Sequence, residues 1–322
     1  MQRRPILTAA ALALGLLAST PARAAWPTDR PIQLVVPYAP GGTADALSRL
    51  IAEQLGPKLG TTVVVINRAG ASGVIGQASV AQAPGDGYTL LYDATPFSIN
   101  PHLQKLPYDP QKDLQPVMLV GLTPMLVAVP KHSPFKSVQD FVKAAKAAPG
   151  KYTFGSGGQG TVQYMGAELF LQGAGLRGLH IPYKSGGPAL QAIIAGEVDF
   201  GLGNLPALSA HVKSGAVRPL AITSGTRDPN YPDVPTIAET ALKGYEAYEW
   251  NGILAPASMP TEHVQRLNVA LREVLDSTQL KARFYALGSR LVASSPEEFR
   301  KFLAQQDARW SATIRSAGIR KE

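Results

Sequence analysis

Residues 32–55 read IQLVVPYAPGGTADALSRLIAEQL: an apolar run, a Pro/Gly turn and a helical pattern in direct succession. Ile32 to Val36 has the composition of a buried strand, and Leu47, Leu50, Ile51 and Leu55 recur at the spacing that puts them on one helix face. The turn Pro40-Gly41-Gly42-Thr43 therefore joins a strand to a helix. Glycines there let a ligand approach the backbone, and the first helical N–H groups have no intrahelical acceptor. Together they make an anion cradle that needs no Arg or Lys. Asp45 would repel an anion if it faced one, and reads as the acceptor of backbone N–H bonds that hold the turn. A single Gly-Gly pair is also what an empty βα turn contains, so the weight falls on whether the pattern recurs.

It recurs, once nearby and once in the second half of the chain. Thr62 to Ile66 reads as a strand, followed by Ala69 to Gly73 and a helix near Val74 to Ala83. Asp86-Gly87 marks a turn before a third strand, Tyr88 to Tyr92, which ends on Asp93-Ala94-Thr95-Pro96. Strands alternating with helices predict a parallel, doubly wound sheet whose loops at 39–45, 69–73 and 93–97 gather beyond the carboxyl ends of the strands. Residues 98–116 read as irregular. Val117 to Val120 and Met125 to Val129 then read as two strands separated by Gly121-Leu122-Thr123-Pro124, a passage into a second lobe. There the opening plan returns: Tyr152 to Gly155 as strand, Ser156-Gly157-Gly158-Gln159-Gly160 as loop, and Thr161 to Gln172 as helix, with the Ser156 and Thr161 hydroxyls as further donors. Tyr248 to Ala255 is a strand that carries the chain back to the first lobe, with Trp250 packed at the crossing. Ser137-Val138-Gln139-Asp140 and Ser295-Pro296-Glu297-Glu298 are helix-opening capping boxes.

Composition narrows the class. Arg3 and Arg4, the apolar stretch Ile6 to Ala18 and Ala22-Arg23-Ala24 form a secretory signal peptide cleaved near Ala24. Arg3-Arg4 loosely fits a twin-arginine signal, but the basic region is short and ordinary Sec export is favoured. No later apolar stretch has spanning length, which predicts a soluble protein outside the cytoplasm. The chain of 322 residues contains no cysteine, which excludes disulfides, thiolate metal sites and a lipoprotein anchor. Its net charge of +8 falls to +5 once Arg3, Arg4 and Arg23 leave with the leader. The excess is spread along the chain with no Lys/Arg block, which argues against nucleic acid while favouring encounter with small anions. The length suggests two lobes.

Catalytic and cofactor motifs are wanting. Gly155 to Gly160 matches G-x-G-x-x-G, but Gly173 to Gly196 supplies no Asp or Glu for a ribose, so the nucleotide reading is rejected. The five histidines follow no metal spacing, and Phe154-Gly155-Ser156 lacks the leading Gly of a nucleophile elbow. No cofactor and no metal are expected. An extracytoplasmic hydrolase or isomerase using Ser156 or Asp45 is the rival class, favoured if either side chain is hydrogen-bonded to a His.

The order of short motifs resembles the extracytoplasmic solute-binding receptors of the tripartite tricarboxylate transporter family, the Bug-type receptors. It runs from Arg30-Pro31-Ile32 and Val36-Pro37-Tyr38 through VVINRAGASGVIG (64–76), DGYTLL (86–91), Ile181-Pro182-Tyr183-Lys184, Ala221-Ile222-Thr223 and PDVPT (232–236) to Ala255-Pro256. The resemblance implies an α/β, two-lobed periplasmic-binding-protein fold of type II-like plan, each lobe a doubly wound sheet, joined by crossing strands. The lobes are expected at 25–124 plus 248–322 and at 125–247, closing like a flytrap over a small carboxylate. It implies ligand contacts from Tyr38, Gly42, Thr43, Ala44, Asp45, Ser72, Gly73 and Thr95 in the first lobe. Ser156, Gly160, Thr161, Tyr164 and Asn204 face them from the second. Partners are the carboxylate and either a membrane permease of the tripartite type or a sensor, with the receptor a monomer and not an enzyme. Two positions depart from relatives: Tyr164 stands where they usually carry His, and Gly203 where they often carry Asp. On that reading Tyr164 suits an aromatic or hydroxylated acid, and Gly203 removes a charge that favours amino-group ligands.

Overall fold

The computed structural model describes residues 26–319, so the expected leader and its cleavage near Ala24 lie outside the described residues. Ten strands are present among these: β1 (Ile32–Val36), β2 (Val63–Asn67), β3 (Thr89–Ala94), β4 (Leu114–Pro130), β5 (Thr153–Ser156), β6 (Leu179–Pro182), β7 (Phe200–Asn204), β8 (Val217–Ile222), β9 (Tyr248–Pro256) and β10 (Arg290–Leu291). The α-helices are α1 (Thr43–Leu59), α2 (Val74–Ala81), α3 (Pro96–Leu103), α4 (Val138–Ala147), α5 (Val162–Gly173), α6 (Gly186–Ala195), α7 (Leu205–Lys213), α8 (Ile237–Thr240), α9 (Thr261–Leu275), α10 (Thr278–Ala286) and α11 (Pro296–Ser316).

The strands form one hydrogen-bonded sheet in the order β2-β1-β3-β9-β4-β7-β5-β6, with β8 and β10 also on β4. Read as two halves, its plan repeats. In the first, β1 lies between the parallel strands β2 and β3, and β3 is followed by antiparallel β9 and then β4. In the second, β5 lies between parallel β6 and β7, and β7 is followed by antiparallel β4 and then β8. The two strand-turn-helix units noticed in the sequence, β1–α1 and β5–α5, thus occupy the same place in each half, with their turns beyond the carboxyl end of the central strand. Ligands of open α/β sheets bind at such ends.

Two features join the halves. The first is β4, which runs unbroken for 17 residues where the sequence suggested two strands and a passage. Gly121 and Pro124 read locally as a turn, yet Gly121 pairs with Asn251 and Pro124 with Tyr248, while the same strand continues into pairing with β7 from Met125 onward. The second is α11. Phe299, near its start, packs on Trp250 and Phe302 in the first half. Trp310 and Ile314, near its end, belong to the second half's core with Phe141, Phe154, Phe170 and Phe200. The last turns of a segment expected wholly in the first lobe therefore pack on the second.

Local signals and tertiary packing agree at most element ends. The capping boxes at Ser137/Asp140 and Ser295/Glu298 have both arms in place, and a third stands at Thr236/Glu239. They differ at α3, whose Pro- and Asn-rich sequence reads as irregular. Pro96 at its first position suits a helix start, and buried Phe97, Ile99 and Asn100 hold the turn that propensity alone disfavours. Trp250 is fully buried, its ring meeting Phe97, Phe299 and Phe302 edge-on, so it packs the crossing as expected.

Removing the Trp310 ring leaves a cavity where α11 grips the second half. Trp310→Ala is expected to lower the unfolding free energy by about 3–5 kcal/mol in urea titrations. A loss below about 1 kcal/mol would show that the helix end is not anchored there.

Candidate functional site

The first turn leaves β1 at Val36 and enters α1 with Gly42 as its N-cap, which supplies no side-chain cap. The first intrahelical bond runs from Ala46 N–H to Gly42 carbonyl, 3.0 Å, so the N–H groups of Thr43, Ala44 and Asp45 precede the helical ladder. Gly41 sits at φ 89°, a left-handed conformation that glycine adopts without a Cβ penalty. What fixes the turn is Asp45. One carboxylate oxygen accepts from Gly41 N–H at 3.0 Å, Arg49 Nε donates to both oxygens at 3.1 Å, and Asn67 Nδ2 donates at 2.9 Å. Asn67 also donates to the Tyr38 carbonyl at 3.1 Å, tying β2 to the turn. The Arg49 hydrogen bond, chief among these, lowers the Asp45 pKa from 3.8 to about 2. Asp45 therefore braces the turn, as its chemistry suggested, and its own carboxylate is closed to a ligand, as is the buried Ala44 methyl.

The second loop is strained. Gly70, Ala71, Ser72 and Gly73 all have positive φ, and for Ala71 and Ser72 that is a costly conformation. Asn100 Nδ2 from α3 holds it by donating to the Ser72 carbonyl at 3.0 Å, which leaves the Ser72 side chain exposed. Gly73 is buried beneath the first turn: a Cβ there would lie 3.5 Å from both Pro37 and the Tyr38 ring. The Tyr38 hydroxyl donates to buried Asp93 at 2.7 Å, and Gln77 Nε2 donates to the other Asp93 oxygen at 2.8 Å. Burial pushes the Asp93 pKa up from 3.8 to about 6 against those donors. Thr95 is fully buried; its hydroxyl accepts from Trp250 N–H at 2.9 Å, and its side chain is a tie to β9 rather than a ligand contact.

The opposite turn folds on its own hydroxyls. Thr161 caps α5 by accepting from Tyr164 N–H at 3.3 Å and donates to the Gly158 carbonyl at 2.7 Å. Ser156 accepts from Gly158 N–H at 3.1 Å and meets His180 Nε2 at 2.8 Å. These hydroxyls, read as donors to an anion, instead shape the loop, and the N–H groups of Val162 and Gln163 at the start of α5 precede its ladder. Tyr164 is 4% exposed, wedged between Phe154 and His180, so it belongs to the second half's core and not to the surface across the turn. A Cβ at Gly203 would lie 2.7 Å from Leu208, so that position faces α7 packing. The two sides do approach: a Cβ at Gly160 would be 3.8 Å from Ser72 Oγ and 3.8 Å from Leu103 of α3.

Between them lies a network the sequence did not reveal. Gln163 Nε2 donates to Asn204 Oδ1 at 3.0 Å, and Asn204 Nδ2 donates to Glu249 Oε2. Only the three-dimensional crossing of β9 brings Glu249 to the end of β7; the available signal was the single acid in that strand. His180, at 2.8 Å from Ser156, was likewise hidden in β6. Among the described residues there is no cluster of His, Cys, Asp and Glu that could hold a metal, and no helix is long and apolar enough to cross a membrane. A cavity of about 380 Å³ bounded by Phe97, Leu254, Arg300 and Leu303 lies apart, since no residue of either turn lines it.

Because Asp45 titrates low in the folded protein, its contribution to stability is complete above pH 3.8 and is lost as pH falls from 3.8 toward 2. Asp45→Asn is therefore expected to be destabilised by about 1–3 kcal/mol at pH 7, with the gap to the parent closing over that acid window. Thermal or urea unfolding at a series of pH values reads this, and a pH-independent gap would contradict it.

Comparison with known proteins accords with this architecture. The profile of the family described as tripartite tricarboxylate transporter family receptor matches residues 47–319. The chain is 35% identical over 294 residues to protein BugT of Bordetella pertussis, covering 90% of each chain. A solved Rhodopseudomonas palustris protein with adipate is 34% identical with a TM-score of 0.80, over 92% of this chain and all of that one. The periplasmic binding protein BugD is 32% identical with a TM-score of 0.77, over 91% of this chain and 99% of its own. The two-lobed sheet is thus the periplasmic-binding-protein fold, and the chain belongs to the tripartite tricarboxylate transporter family of receptors.

Proposed function

We propose that this receptor captures a small carboxylate in the periplasm, between its two lobes, and delivers it as a monomer to a tripartite-type membrane permease. The observation that carries the reading is the pairing of two Gly-rich turns at equivalent strand ends, close enough that Gly160 and Ser72 nearly touch. Each turn presents helix-start N–H groups that lack intrahelical acceptors. A carboxylate accepts from such groups, and the helix dipoles favour its charge. Ligand contacts are assigned to the backbone of Gly42, Thr43 and Ala44, to Ser72 and Gly73, and to Gly160 and the start of α5. The R. palustris neighbour with adipate supports the ligand class. A ligand touching both turns stabilises only the closed arrangement, so lobe approach and binding are linked.

Calorimetry and thermal shift on protein unfolded and refolded to strip carried-over ligand should find at least one mono- or dicarboxylate that raises the melting temperature. Silence across the whole panel would count against the reading. Gly160→Leu places a side chain between Ser72 and Leu103; it should weaken binding by about tenfold or more and abolish the ligand-dependent compaction seen by small-angle scattering. Undiminished compaction would sink the two-turn site.

The Ser156–His180 hydrogen bond is the observation that favours a second reading, an extracytoplasmic hydrolase. Against it, Ser156 is 1% exposed and its Oγ already accepts from Gly158 N–H. Among the described residues no carboxylate bonds the other ring nitrogen of His180 to orient it, the third member such a site employs. Burial lowers the His180 pKa, which favours the neutral ring and suits it to bridging Ser156 as a structural partner. A serine-directed fluorophosphonate should leave the protein unlabelled; labelling abolished by Ser156→Ala would establish the hydrolase instead.

A further inference from the structure

The donors at the cleft floor run in one direction and end on an acceptor. Gln163, on the helix of the second turn, donates its amide N–H to Asn204; Asn204, its oxygen occupied, donates onward to Glu249 Oε2. A carboxylate has no proton to pass on. Its second oxygen, Oε1, has no hydrogen-bond partner among the described residues, and no Lys, Arg or His is paired with it.

The surroundings extend the same need. Glu249 faces Thr123 across the β4–β9 ladder, and Asn251, two residues along on the same face, lies opposite Gly121 and Ala94. Gly121 lets Ser289 and the Arg290 carbonyl close in on that face, since a Cβ there would lie 2.7 Å from Ser289 Oγ and 2.8 Å from that carbonyl. Both polar atoms of Asn251, the Thr123 hydroxyl, the Ser289 hydroxyl and, diagonally on β3, the Tyr92 hydroxyl are buried without a protein hydrogen-bond partner. Each of these residues is at most 1% exposed. Buried polar atoms are normally paired, so several unpaired ones on one face beside a carboxylate mark a polar subsite.

We propose that Glu249 sets the ligand class, selecting a small acid whose carboxylate rests on the Gly turns and whose other end directs a hydrogen-bond donor, an ammonium or a hydroxyl, at Glu249 Oε1. The inference rests on the receptor reading above and narrows it. A dicarboxylate brings a second anion toward a protein anion that has no counter-ion, in surroundings where burial already disfavours charge, as the raised pKa of Glu249 reflects. An ammonium supplies the missing counter-ion, and a hydroxyl supplies the missing proton. The acid absent at Gly203 is thereby provided by another strand, which reverses the expectation drawn from that position alone.

The test uses refolded, ligand-stripped protein and matched four-, five- and six-carbon series, each comprising the monocarboxylate, dicarboxylate, ω-amino acid, ω-hydroxy acid, and α-amino and α-hydroxy acids. In at least one series an amino or hydroxy acid should bind about tenfold or more tighter than the dicarboxylate. Glu249→Gln, which still accepts from Asn204, should erase most of that margin, with the larger loss for the ammonium if that is the native donor. A dicarboxylate preferred by the parent, or a ranking unchanged in Glu249→Gln, overturns the proposal while leaving the receptor reading intact. Failure of every acid to bind overturns the receptor reading and this inference with it.

Discussion

Nearly every other relation in the molecule depends on β4 being one strand. Its first part hydrogen-bonds to β9 in the first lobe and its second part to β7 and β8 in the second, so a single ladder runs through the boundary. A backbone that is paired on both sides of a crossing cannot drift laterally without breaking bonds, each of which holds a buried polar group that would otherwise be unsatisfied. The relative position of the two central strands, β1 and β5, is thereby fixed to within the bending of the sheet. Bulges in the pairing near Pro116, Leu119 and Val127 are where that bending is accommodated.

Given that frame, the two turns show a shared division of labour. Side chains that look like ligand contacts in the sequence are spent internally: Asp45 on Gly41 and Arg49, Thr161 on Gly158, Ser156 on Gly158 and His180, Tyr38 on Asp93, and Thr95 on Trp250. What they leave available is peptide N–H at rigidly held positions. Side-chain rotamers are thus settled before any anion arrives, which lowers the ordering entropy that binding must overcome. On the proposed reading, recognition of a carboxylate would be generic for that reason, and discrimination would fall to other groups between the turns.

The legible part of the sequence was the part governed by short-range rules. The change from strand to helix period around Gly41-Gly42, its repetition at Gly157-Gly158, the capping boxes and the bracing role of Asp45 all follow from neighbours within a few residues. Features set by distant neighbours were misread. Gly121 and Pro124 imitate a turn, but β9 pairs with both and makes them strand. Pro96 to Leu103 imitates a loop until Phe97 and Ile99 find the core. Tyr164 is withdrawn from the cleft by Phe154 and His180, and Glu249 is brought to it by a crossing strand.

The C-terminal helix α11 has a mechanical consequence. With Phe299 seated in one half's core and Trp310 in the other's, α11 crosses the boundary beside β4 as one rigid rod. On the proposed receptor reading the halves part for ligand exchange, and a pure rotation about the crossing strands would pull one of those aromatic anchors from its socket, whereas a slide of the rod along one core, a shear rather than a swing, would keep both seated. Side-chain packing of that kind tolerates a limited excursion before contacts are lost. On that reading the helix is a travel stop, and the length of its aromatic footing, more than the looseness of the strands, would set how far the halves can part.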